Sequence, residues 1–354
     1  MAVLLSLLLL GAAAALAPPP PPAQCAAVQR RAPCGQPTDS PSACATKGCC
    51  YDAAGAAGAA VPCFYAGGDA VPITTVRVIS ACHFDAGYLS TTSDILNRWF
   101  HTFFPQALKL GLELDARGGR ERLKFMAQSW IVSLFLDCPP GLAGLQCPNA
   151  TEIADFETAV AKGYIYWHAF PFNGEPELLS PEMFAEAVAL THALDDRFGL
   201  PHKVTLSQRD VPGMTRAVVP ALAAAGVKAL SIGVNPWSTP PMVPRAFVWR
   251  DKDSGISMPA MLHPGYYGGI NVSDAVILPG LSHALVFDWR GDNLGPPTSA
   301  AEVEANFTTI AAEFPGATVV ASTFDDFTAL LTPEVLAMLP VIESEIGDTC
   351  ESLG

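Results

Sequence analysis

The sequence predicts an α/β protein: a largely parallel sheet, open or closed into a barrel, preceded by a small module held by disulfides. Three observations carry this expectation. Six of the ten cysteines fall between positions 25 and 63. Behind them, strand-length β-branched runs alternate with stretches of helical apolar spacing. The 354 residues are 50% hydrophobic and only 15% charged, which suits one sizeable core beside a small one.

The chain opens with MAVLLSLLLLGAAAALA followed by PPPPP. An apolar run ending in the small-residue pattern Ala15-Leu16-Ala17 reads as a secretory signal over residues 1–17, cleaved after Ala17. The next most apolar stretch, VVPALAAAGVKALSIGV, contains Lys228 and divides into a helix and a strand. No membrane span is therefore expected once the signal is removed. A secreted protein, or one in the lumen of the endomembrane system, is expected. The Asn-x-Ser/Thr triplets at Asn149, Asn271 and Asn306 agree with this. A net charge of −14 gives no electrostatic footprint for nucleic acid.

The N-terminal cysteines stand at 25, 34, 44, 49, 50 and 63, within RAPCG (31–35), KGCCYD (47–52) and VPCFY (61–65). So few apolar side chains cannot make a self-sufficient core, so covalent staples must replace it. Spacing alone leaves the pairing open. These motifs resemble the P-type (trefoil) domain over residues 24–65. The resemblance implies the pairs Cys25–Cys50, Cys34–Cys49 and Cys44–Cys63. Trefoil domains often bind mucins or glycans, and some are fused to glycosidases. The family usually has a tryptophan before its last cysteine, where this chain has Pro62. AGGDAVP (66–72) reads as a linker.

ITTVRVISA (73–81) reads as the first strand of the large domain, and TSDILNRWFHTFFPQALKL as a helix capped by Thr92 or Ser93. RLKFMAQSWIVSLFLD reads as an apolar helix or a helix-to-strand unit. Cys138 and Cys147 flank PPGLAGLQ and suit a disulfide loop. YIYWHAF (164–170) reads as a strand, and SPEMFAEAVALTHALDDRFG as a helix with Ser180 at its N-cap and Pro181 at N1. KVTLSQ (strand), VPGMTRAVVPALAAAG (helix), VKALSIGV (strand) and HALVFD (strand) continue the series. A helix opened by Ser299-x-x-Glu302, the strand ATVVAST and the helix FDDFTALL close it.

In such sheets, ligands collect at the carboxyl ends of the strands. The residues past the predicted ends include His83, Asp85, Trp167, His168, Asp210, Asn235, Asp288 and Asp292. Side chains two apart on an extended segment point the same way. His83 and Asp85 can thus converge on one ion, with Gly87 bending the chain away. Asp210 supplies a second carboxylate, and one histidine with two carboxylates makes a catalytic zinc set with an open position. Manganese or calcium would also be tolerated. Trp167 and His168 suit a sugar-lining pair, or His168 a buried, hydrogen-bonded role; Trp237, Trp249, Tyr266, Tyr267 and Trp289 suit a rim or, as aromatic residues more often do, the core. Cys82 reads as a buried free thiol. Arg209 should point away from Asp210 and is given no role.

HFDAGY (83–88) resembles the His-x-Asp-x-Gly-aromatic motif of glycoside hydrolase family 38, the zinc-dependent α-mannosidases. SQRDVPG, GDN (291–293) and ATVVASTFDDFTALL resemble further segments of that family. WHAFPFN, GDNLGPP and EIGDT (345–349) are similar to a divergent relative. The resemblance runs from about residue 73 to the end. It implies a (β/α) barrel of the glycoside hydrolase/deacetylase type over 73–354. It also implies His83, Asp85 and Asp210 as zinc ligands, with Asp210 as nucleophile of a retaining double displacement. The family's acid/base segment matches GDN. Asparagine cannot shuttle a proton, so Asp292 rather than Asn293 is expected to serve.

Two departures stand out. The family's extra histidine falls at Ala81, and its fourth ligand, a histidine, belongs downstream of EIGDT. The barrel is therefore expected to be truncated at its C-terminal end or to lack that ligand. The expected function is metal-dependent hydrolysis of a glycoside, α-mannosidase-like, on a carbohydrate substrate. The rivals are a non-catalytic glycan-binding protein with a degenerate barrel and a carbohydrate deacetylase. The latter usually needs a His-x3-5-His pair that the chain lacks.

Overall fold

The computed structural model describes residues 19–53, 61–175, 178–210, 214–234, 240–264, 269–270 and 272–346. The expected signal segment, Asn235, Asn271 and Cys350 lie outside the described residues. In the small N-terminal module, strands β1 (Cys50–Tyr51) and β2 (Cys63–Phe64) form an antiparallel ribbon. All four expected disulfides are formed: Cys25–Cys50, Cys34–Cys49, Cys44–Cys63 and Cys138–Cys147. Among the described residues Cys82 is the free cysteine, and it is buried.

The large domain contains β3 (Thr75–Cys82), β4 (Phe125–Ala127), β5 (Ile165–Trp167), β6 (Thr205–Gln208), β7 (Ala229–Gly233) and β8 (Ala246–Arg250). It continues with β9 (Ser257–His263), β10 (Gly269–Ile270), β11 (Val276–Ile277), β12 (His283–Arg290), β13 (Thr318–Ala321) and β14 (Val341–Ile342). One sheet runs β12-β3-β4-β5, all parallel; β13 adds parallel to β3, while β10 and β11 pair antiparallel with β12. The other runs β14-β8-β9-β7-β6. It is parallel except for the β8–β9 hairpin.

The two sheets meet between β5 and β6. There the Ala169 N–H donates to the Thr205 carbonyl at 2.9 Å, and the Ser207 N–H donates to His168 Nδ1 at 3.3 Å. Among the described residues no continuous ladder closes the strands into a ring. The strands stand as two sheets that meet at this seam. One apolar core lies between the sheets and the N-terminal module, and others lie under the flanking helices. No helix among the described residues is long and apolar enough to cross a membrane.

Local chemistry accounts for most boundaries. Ser180 and Ser299 cap their helices as expected, accepting from Met183 N and Glu302 N. The helix at 92 is instead capped by Thr91. That helix then passes through a π turn at Trp99–Phe103. Pro105, lacking an N–H, cannot continue the regular ladder there. The segment 123–136 is a strand followed by a helix, β4 and then Ser129–Leu136, rather than a helix leading into a strand. The helix after β6 shortens to Val218–Ala224.

The trefoil-like module is fused to the large domain by polar contacts as well as the shared core. Tyr65 is fully buried; its hydroxyl accepts from Ala246 N at 2.8 Å and donates to Ala246 O at 3.1 Å. Arg245, also buried, donates its backbone N–H to Cys34 O and its Nε to Gly35 O. Its Nη1 reaches the carbonyls of Ser273 and Ala275. Segment 66–72 is pinned too, because Asp69 accepts from Gln29 N and Arg30 N while its carbonyl accepts from Gly280 N. Tyr65→Phe takes the hydroxyl away from both the N–H and the C=O of buried Ala246 and should cost about 1–3 kcal/mol. Urea unfolding with an unchanged slope would read this directly; a wild-type midpoint would contradict it.

Candidate metal centre

β3 alternates its side chains, and the alternation carries one residue past its end, where the His83 N–H still donates to Arg290 O at 3.0 Å. Phe84 turns away from His83 and packs edge-on against Trp99, with ring centroids 5.5 Å apart. His83 and Asp85 share the other side, as the two-residue spacing requires. Gly87 then bends the chain at φ +123°. From the neighbouring sheet, Asp210 follows β6 in a left-handed conformation, φ +73°, uncommon for a non-glycine residue.

These three residues meet. His83 Nε2 lies 3.0 Å from Asp85 Oδ1 and 3.5 Å from Asp210 Oδ2. One ligand atom from each falls within 4.8 Å of the others. The histidine is buried, while both carboxylates are partly open to solvent. Burial alone would push the imidazole pKa down, but the hydrogen bonds and negative charges of Asp210 and Asp85 win and raise it to about 9. The site thus favours positive charge at one point. One imidazole nitrogen and two carboxylate oxygens form a donor set that fits a divalent cation.

The supporting residues come from two loops and the end of β6. Asn293, buried and at φ +51°, accepts from Asp85 N (3.3 Å) and Trp99 Nε1 (3.4 Å) through Oδ1, and donates from Nδ2 to Asp85 O (3.1 Å). Asn173 touches His83 Nδ1 at 3.4 Å and accepts from the Arg209 N–H at 3.1 Å. Gln208 clamps the same loop, donating to Gly174 O and accepting from Gly174 N. A cleft of about 390 Å³, lined by Phe84, Ala86, Gln128, Trp130, Phe172 and Asn173, opens beside the cluster.

Asp292 is half-buried on the loop pinned by Asn293 and lies outside the three-residue cluster; its charge is felt at the Cys82 thiol. That thiol is pushed by burial to about 12, so it is an inert packing group. Asn293, matched to the acid/base segment, is a structural clamp.

Other expectations change. Trp167 is fully buried, with its indole N–H on Asp195 at 2.9 Å, so it packs the outer layer and does not face a sugar. His168 is buried at the seam, where Nδ1 accepts from Phe170 N and Ser207 N and stands in for a backbone acceptor. Trp249 and Trp289 take the core alternative, and Trp237, Tyr266 and Tyr267 lie outside the described residues. Asp288 lies within β12 and bonds to Asn306 on the helix Ala300–Glu313. Sequence reasoning missed Asn173, Trp130 and Phe172. Asn173 and Phe172 stand in the quoted WHAFPFN, but the Trp-His pair drew the assignment.

Two outcomes follow for substitutions here. Asn293→Ala removes three hydrogen bonds and strains a left-handed backbone, so it should destabilise by about 2–4 kcal/mol, and by more than Asn293→Gly. Chemical denaturation that ranks the two the other way would contradict the clamp. Burial, reinforced by the nearby Arg209 charge, lowers the His168 pKa to about 3, below its unfolded value of about 6.5. Its contribution is complete above that upper value and is lost as pH falls toward the lower one, at up to about 1.4 kcal/mol per pH unit. Unfolding measured from pH 7 to 4 should show this slope in wild type and a shallower one in His168→Gln.

Residues 25–66 match the family model of the trefoil (P-type) domain. No curated protein matches the chain by sequence. Among solved structures, an α-mannosidase from Enterococcus faecalis V583 aligns at 16% identity with a TM-score of 0.59, covering 77% of this chain and 31% of that one. A glycosyl hydrolase family 38 protein from Enterococcus faecalis aligns at 14% identity and a TM-score of 0.49, covering 78% and 29%. A putative polysaccharide deacetylase from Mycobacterium smegmatis aligns at 10% identity and a TM-score of 0.40, covering 74% and 95%. The chain spans about a third of the first mannosidase's length, and at this identity the likeness is one of fold. Residues 25–66 are thus a trefoil domain, and the α/β domain behind them has the fold of an α-mannosidase segment.

Proposed function

We propose that the chain is a metal-dependent glycoside hydrolase of the retaining, α-mannosidase-like kind, acting on glycans in a secretory or extracellular compartment. The observation that carries this reading is the convergence of His83, Asp85 and Asp210 at the strand mouths, beside a cleft walled by Phe84, Trp130 and Phe172. Aromatic walls with a few polar groups suit a sugar ring, which presents apolar faces and hydroxyl edges. Four disulfides and a trefoil domain favour an oxidising compartment. Asn149 is exposed and suits glycosylation; Asn306 is half-buried with its amide on Asp288.

A Zn2+-class cation held by His83 Nε2 and the carboxylates of Asp85 and Asp210 would supply Lewis-acid polarisation of sugar hydroxyls. Asp210 attacks the anomeric carbon and forms a glycosyl ester as the bond to the leaving oxygen breaks. Asp292 donates a proton to that oxygen, then takes one from the water that cleaves the ester. Asn173 and Asn293 hold the His83 ring and the Asp85 backbone in place. The α-mannoside preference and a closed barrel belong to this same reading.

One observation favours a glycan-binding reading. The segment matched to the family's acid/base offers Asn293, whose amide bonds both backbone groups of Asp85 and the Trp99 indole N–H. Metal analysis and turnover of aryl α-mannosides separate the two. The enzyme reading expects about one Zn2+ per chain, and turnover reduced about a thousandfold or more in Asp210→Asn. Asp292→Asn should slow alkyl mannosides far more than nitrophenyl mannosides, whose leaving group needs little protonation. Absent metal and absent turnover, with glycan binding intact, would replace the enzyme by the binding module.

A further inference from the structure

Arg209 has a fully buried side chain in the core between the sheets, one residue before Asp210. Its Nη1 donates to Gln208 O at 2.7 Å and Ser231 O at 3.1 Å, and its Nη2 donates to Ser231 Oγ at 2.9 Å. The guanidinium lies 4.3 Å over the Trp289 ring and 5.4 Å from the centre of Phe287. Among the described residues no carboxylate reaches ion-pair distance of it, and its Nε has no hydrogen-bond partner. β7 is shaped to admit the side chain: a Cβ at Gly233 would stand 2.1 Å from Arg209 Cδ.

A buried guanidinium without an acid is costly, and an apolar side chain of similar volume would serve stability as well or better. What the arginine supplies is geometry. Its fork ties the last carbonyl of β6 to β7 immediately before the left-handed turn at Asp210. Its backbone N–H fixes the amide of Asn173, whose other end meets His83. One residue thus joins the supports of two of the three clustered side chains.

We propose that Arg209 is a positioning residue for the metal centre: its fork locks the end of β6 so that Asp210 is presented beside His83. The inference rests on the reading of Asp210 as ligand and nucleophile. It extends that reading to a residue that touches neither metal nor sugar.

Arg209→Met and Arg209→Lys test it, with Zn2+ affinity measured by chelator competition, melting temperature, kinetics and amide hydrogen exchange. In Arg209→Met the melting temperature should hold or rise. Zn2+ affinity should nevertheless fall about 10–100-fold, and kcat should fall with KM near wild type. Arg209→Lys, which keeps the charge but not the fork, should recover only part of the loss, and it decides the matter if the methionine variant does not fold. Exchange protection should drop at 207–210 and 173–174. A folded methionine variant with wild-type affinity and protection would overturn the proposal. If wild type binds no Zn2+, the metal reading itself fails. Exchange then decides the locking role alone: lost protection in Arg209→Met supports it, and unchanged protection refutes it.

Discussion

Two carboxylates share one buried imidazole nitrogen, and the rest of the site is arranged to keep them there. With their oxygens within 4.8 Å of each other and an effective dielectric of about 20, two such charges repel by at least roughly 3 kcal/mol. Positive charge at His83 Nε2 or a bound cation offsets that repulsion, and the surrounding fold prevents the carboxylates from swinging apart. Asp85 is held through its backbone by Asn293. Asp210 is delivered by a left-handed turn, a conformation that costs on the order of 1–3 kcal/mol and persists only when its surroundings over-determine it.

The trefoil domain belongs to that frame. Tyr65 bonds both backbone groups of Ala246 in β8. In register, Ala246 faces Met261 of β9, and Met261 faces Ser231 of β7. Ser231 in turn receives the Arg209 fork beside Asp210. An unbroken line of hydrogen-bonded strands therefore runs from the N-terminal module to the candidate nucleophile. Substitutions at Tyr65 or Arg245 act on the same sheet that carries the site, so the module is more than an appended binding unit.

Much of this was legible in the sequence because it rests on local periodicity. The HFDAGY motif places His83 and Asp85 on one side by strand geometry alone, and the cysteine pattern resembles one family closely enough to imply the pairing. Long-range contacts were not legible. Trp167 and His168 stand at a strand end, yet one turns outward to Asp195 and the other plugs a seam, which only the packing of β5 on β6 decides. Arg209 looked idle because alternation on an extended strand aims it away from Asp210; the space that takes it exists because residue 233, on a strand of its own, has no Cβ. The β8–β9 hairpin was missed because its loop, DKDSGI, lacks a two-residue turn signature.

The central claim is that His83, Asp85 and Asp210 converge on one cation. Anomalous diffraction at the zinc edge, from crystals of the purified chain grown with Zn2+, tests it most directly. The account predicts a single strong peak in contact with His83 Nε2 and one oxygen each of Asp85 and Asp210. A map with no peak there, and with the two carboxylates turned away from His83, would contradict it.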